Sequence, residues 1–86
     1  MKYRCQCCGY LALTDPTNGS YEICPVCFWE NDATQNDDPS FAGGANEPSL
    51  LEARANFKRI GASEERVMPF VRVPRPEEVS EPNPFS

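Results

Sequence analysis

Apolar residues along the chain fall into short patches, and only one patch has helical spacing. Leu50, Ala53, Phe57 and Ile60 recur at three- and four-residue intervals and form one stripe. Ser49-Leu50-Leu51-Glu52 has the S-x-x-E form of a capping box, and Gly61 supplies a left-handed stop behind the stripe. The spacing predicts a helix of roughly three turns. Upstream, Tyr10-Leu11-Ala12-Leu13 and Ser20-Tyr21-Glu22-Ile23 are short aromatic and aliphatic runs. Between them lies Asp15-Pro16-Thr17-Asn18-Gly19, whose Asp-Pro and Asn-Gly pairs form turns. Together they predict a β-hairpin.

Residues 29–49 carry Glu30, Asp32, Asp37, Asp38 and Glu47 with no Lys or Arg, and Pro39, Gly43, Gly44 and Pro48 break any period. A solvated loop is expected there, pinned to the core by Phe41. A short turn over residues 63–68 should end before Pro69, because the residue preceding a proline avoids the helical region. Five prolines in the last 18 residues then predict an extended tail over 69–86, with Phe70, Val71 and Val73 favouring partial docking. The expected division is a folded unit over 1–68 and a Pro-rich tail over 69–86.

Composition shows that this core needs help. Leu, Ile, Val and Phe make up 16 of 86 residues, a low share for a chain that buries only roughly 60% of its unfolded surface. Disulfides or a metal would supply the missing stability. Eight basic against thirteen acidic residues give a net charge of −5, and no Lys/Arg cluster exists to attract phosphate or anionic lipid. The first residues run straight into cysteines, and no long apolar run follows. A soluble, cytoplasmic, monomeric protein is expected, with neither nucleic acid nor membrane as partner.

All five cysteines lie in the first 28 residues. Cys5 with Cys8 and Cys24 with Cys27 form two C-x2-C pairs separated by fifteen residues, a spacing that signals zinc. Two intervening residues let each turn aim both sulfurs at one ion. The chain has no histidine, so the ligand set is Cys5, Cys8, Cys24 and Cys27, and a site filled by four thiolates is structural. Four thiolates and one dication leave the site at about −2, and the loaded protein near −7. Two rival readings of the pairs are disulfides, which need an exporting context, and a redox Cys24-Pro25-Val26-Cys27, which the acidic segment after it disfavours. Cys7 is left over, either idle or an alternative ligand that swaps in on oxidation.

The strings CQCCGY, GSYEICPVCFWEND, GGAN and SLLEARANF resemble the bacterial cysteine-rich CPCC family over roughly residues 5–61. Gln6 stands where that family usually has proline, which loosens the first turn without removing a ligand. The resemblance implies a zinc-binding ribbon of undetermined biochemical role.

Other residues carry less chemistry. Tyr10, Tyr21, Phe28 and Trp29 are expected to close over the metal and meet the Leu50/Phe57 stripe. Asp37 and Asp38 lack the spaced oxygen ligands of a hard-cation site, and Gly43-Gly44-Ala45-Asn46 lacks the lysine of a phosphate loop. No nucleophile–base pair is present, so no enzyme is expected. The reading is a small α+β, metal-stabilised, zinc-ribbon-like fold with one packed helix and an extended tail, serving as a protein-interaction module. A nucleic-acid-binding ribbon and a thiol redox protein are the alternatives.

Overall fold

The computed structural model describes residues 1–80 and 82–85. Its elements, in order, are strands β1 (Tyr3–Arg4) and β2 (Leu11–Leu13), helices α1 (Ala33–Asp37) and α2 (Leu50–Ile60), and 3₁₀ turns at Glu65–Phe70 and Pro76–Glu78.

The hairpin is not the one the apolar runs predict. β2 pairs antiparallel with β1, Tyr3 opposite Leu13 and Arg4 opposite Leu11, with a bulge between. The Ser20–Ile23 run pairs downstream instead: Tyr21 N–H donates to the Asn31 carbonyl, Asn31 N–H to that of Glu22, and Ile23 bridges Glu30. Each C-x2-C turn therefore closes its own small hairpin. The physical reason is local: within the second cysteine turn Phe28 N–H donates to the Cys24 carbonyl and Cys24 N–H to that of Trp29, which folds the chain back between Ile23 and Glu30. The predicted partners still meet, but through a side chain. The Glu22 carboxylate accepts from the N–H groups of Thr14 and Asp15 and from the Thr14 hydroxyl.

Helix α2 forms as its capping signals require. Ser49 Oγ accepts from Glu52 N–H at 3.1 Å, the Glu52 carboxylate returns the bond at 2.9 Å, and Gly61 ends the helix at φ 74°. Leu50 and Ala53 are fully buried and Phe57 packs beside them, while Ile60 is only half-buried.

The acidic stretch is a solvated loop only in part: residues 40–45 and Glu47 are exposed, but its first half folds in. Asp32 caps the short helix α1, accepting from Thr34 N–H, and Asn31, Asp32, Gln35 and Asn46 are all buried. Gln35 is its hub. Its amide nitrogen donates to the carbonyls of Phe41, Asn46 and Pro48, and its oxygen accepts from the backbone and side chain of Asn46. The buried loop backbone thus finds its partners within the chain. Phe41, expected as the pin, is 41% exposed. Gly44 lies against this hub, where an added Cβ would come within 2.7 Å of the Asp32 carboxylate.

The turn after α2 runs through Pro69, not up to it, because proline's fixed φ fits a 3₁₀ turn. Beyond it the chain wraps the molecule. Arg72 grips the buried Glu78 with two bonds of 2.8 and 2.7 Å, the second 3₁₀ turn packs on β2, and Asn83 is buried. The radius of gyration, 11.4 Å, is close to the roughly 12 Å of a compact chain this long.

The Arg72 guanidinium, more than burial, sets the acidity of Glu78, lowering its pKa from 4.5 to about 2. The charged form is favoured in the fold, so this stability is full above pH 4.5 and is lost as pH falls toward 2. Wild type should therefore outlast Glu78→Gln in denaturant at pH 6, with the gap closing as pH is lowered toward 2; a pH-independent gap would contradict the assignment. Arg72→Ala should destabilise by about 1–3 kcal/mol at neutral pH.

Candidate metal centre

Five of the eleven residues in the buried core cluster are cysteines. The sulfurs of Cys5, Cys8, Cys24 and Cys27 all lie within 4.8 Å of one another and could hold a metal ion. Cys5 faces Cys27 at 3.6 Å and Cys8 faces Cys24 at 3.7 Å, both too long for a disulfide. Each pair of the sequence therefore contributes one sulfur to each contact.

The two cysteine turns share one backbone scheme. Cys5 N–H donates to the Tyr10 carbonyl and Gly9 N–H to that of Cys5; Cys24 N–H donates to the Trp29 carbonyl and Phe28 N–H to that of Cys24. In the first turn Cys7 N–H also points at the Cys5 sulfur, 3.4 Å away. The residue after each second cysteine is left-handed, Gly9 at φ 79° and Phe28 at φ 69°. That conformation is free for glycine and costs about 1 kcal/mol for phenylalanine.

The sulfurs are 0–3% exposed, and their titration is linked. The hydrogen bond to Cys24 holds the Cys8 thiol far above its ordinary range, and burial does the same for Cys27. Cys24, accepting from Cys27, Cys5 and Cys8, is held far below it. Four buried sulfurs this close together hold their protons against full ionisation. A dication among the sulfurs would supply the charge needed to release them.

Cys7 is also buried, at 1%, in the same core. It packs among the ligand candidates as a small apolar side chain, sheltered from solvent reagents.

Three distant groups hold the turns. Arg54 Nε donates to the Gln6 carbonyl, Ser63 N–H to that of Cys27, and Asn83 Nδ2 to that of Cys8, each at 2.9 Å. The Arg54 guanidinium also lies 4.2 Å from the centre of the Phe85 ring. No local pattern marks these residues, because they serve carbonyls 36–75 positions away in the chain.

The expected aromatic lid is half present. Trp29 is buried and Tyr10 meets Phe57 edge-on at 6.1 Å, whereas Tyr21 is 59% exposed and Phe28 faces Phe70. The phosphate-loop reading of Gly43–Asn46 is removed by its amides, which are already engaged: Gly43 donates to Glu47, Ala45 to Asp32 and Asn46 to Gln35. Asp37 and Asp38 accept from Asn18 and Ser40 and do not converge. Among the described residues no helix is long and apolar enough to cross a membrane.

A side chain at Gly9 would be strained and would strike the Asn83 carboxamide that covers the turn. Gly9→Ala should therefore destabilise by about 2 kcal/mol or more. Gly61→Ala, left-handed but facing open space, should lose about 1 kcal/mol. Urea unfolding of both variants checks the order, and equal losses would deny Asn83 its place.

No curated protein matches the chain. A family model described as cysteine-rich CPCC matches residues 3–78, which takes in both cysteine turns, both helices and the Arg72–Glu78 pair. The chain belongs to the cysteine-rich CPCC family.

Proposed function

We propose that the protein binds one Zn²⁺ through Cys5, Cys8, Cys24 and Cys27, that the ion is structural, and that the fold it holds is a docking module for another protein. The observation that carries the reading is the sulfur spacing. A tetrahedron with Zn–S bonds of about 2.3 Å has edges of about 3.8 Å, and two of the edges here measure 3.6 and 3.7 Å.

Burial argues for a structural ion. A catalytic zinc keeps a position open to water, whereas all four donors here are thiols and none is more than 3% exposed. Zinc supplies this chain with cross-linking and with positive charge against four thiolates. Cys5 and Cys8 would tie the first turn to it, Cys24 and Cys27 the second. Five free cysteines suit a reducing compartment such as the cytoplasm. An interaction role fits an acidic surface that carries exposed apolar side chains, Ile23 and Phe70 among them. The redox reading is weakened by the same burial, which keeps the thiols from a disulfide substrate.

Native mass spectrometry of chain purified without chelator should find a single colourless polypeptide carrying one zinc. Removing the metal should collapse the circular dichroism signal. Coloured protein with iron in the same cage, or a melting curve indifferent to chelator, would overturn the assignment. Serine at position 5, 8, 24 or 27 should abolish stoichiometric zinc, while Cys7→Ala should keep one equivalent and lose only about 1–2 kcal/mol of stability.

A further inference from the structure

Phe28 stands where the other cysteine turn has glycine. Gly9 and Phe28 hold equivalent places, each donating its N–H to the first cysteine of its turn and each at positive φ. Glycine would meet that backbone demand without strain, so a phenylalanine there is an outlier that needs a reason. Core filling is not the reason. The half-buried ring lies outside the core cluster and packs on Phe70, the two centroids 5.4 Å apart, and Phe70 is itself 63% exposed. Together with Ile23, also largely exposed, and the buried Val67, the two rings line a surface cavity of about 170 Å³.

The rim of that cavity is acidic. Arg66 is held by Glu64 at 3.0 Å. The Glu30 carboxylate, also at the rim, has no hydrogen-bond or ion-pair partner among the described residues. Two lining carboxylates, Glu30 and Glu64, against one guanidinium leave this neighbourhood negative, on a chain already at −5.

The geometry points to this cavity as the docking site for a protein segment that presents a large apolar side chain flanked by Lys or Arg. The apolar group enters against Phe28, Phe70 and Val67, where water is most easily displaced, and the flanking cation meets Glu30. Phe28 is strained because its left-handed backbone is what aims the ring into the cavity. This assignment rests on the proposed role as an interaction module and gives that role its surface and the chemistry of its partner.

The test is to pan a library of random displayed peptides against the full, zinc-loaded chain, with zinc content measured on the same sample. Enriched peptides should carry a Phe, Leu, Ile, Met or Trp next to Lys or Arg. Binding of the best one should weaken about tenfold or more in Phe70→Ala and in Phe28→Gly, and severalfold in Glu30→Lys, with a steeper loss at high salt for the wild type than for Glu30→Lys. All three variants should keep one zinc. Phe70 and Glu30 lie at the surface, so their variants decide the matter if Phe28→Gly fails to fold. Enrichment of no peptide, of peptides lacking that pattern, or of peptides indifferent to Phe70→Ala and Glu30→Lys would overturn the cavity as the docking site. Peptides indifferent to those changes would still leave a protein-binding module, whereas absence of zinc would remove the reading beneath the inference as well.

Discussion

Four buried sulfurs within 4.8 Å of one another organise this protein. Cysteine is the most frequent residue of its buried core, and the aliphatic complement is too small to hold a chain of this length alone. Everything else positions those sulfurs or covers them. Two short hairpins present them, α2 packs Leu50 and Ala53 against them, and the C-terminal segment closes over the first turn through Asn83. Thiols packed this closely would repel one another as thiolates, and that repulsion is what a cation would offset.

The two cysteine turns are near-copies built from different residues. The first uses a glycine at the left-handed position and is closed by a two-strand ladder; the second uses a phenylalanine and is closed by the Tyr21–Asn31 and Glu22–Asn31 bonds with a single bridge. Backbone demands are identical, and the side chain placed there differs. At Gly9 there is no room for one, because Asn83 lies against it. At Phe28 the half-buried ring packs on Phe70 and lines the surface cavity. The same turn thus serves as a sealed joint on one side and as an exposed face on the other.

Polar groups do much of the work that apolar residues do in larger domains. Gln35 binds three loop carbonyls and an asparagine, Asp32 caps α1 while holding the Ala45 amide, and Arg72 pairs with the buried Glu78. No buried side-chain nitrogen or oxygen among the described residues lacks a partner. Networks satisfied to that degree favour one arrangement over its competitors, since any displaced member would leave a buried group unpaired.

The four-cysteine cluster and α2 were legible in the sequence because their signals are local. A C-x2-C pair aims its own sulfurs, and Ser49, Glu52 and Gly61 act within a turn of the helix they bound. The strand partners, the fate of the acidic stretch and the direction of Phe28 were decided by the tertiary structure. Ser20–Ile23 had two neighbours to choose from, and the backbone bonds of the cysteine turn bring it to the downstream one. The acidic stretch looked like a solvated loop because charge counts record what water would favour, not which carbonyls a buried glutamine can reach. Asn83, Arg54 and Ser63 gave no sign of their roles. Their partners are backbone carbonyls far away in the chain, and a carbonyl has no identity in a sequence until the fold brings a donor to it.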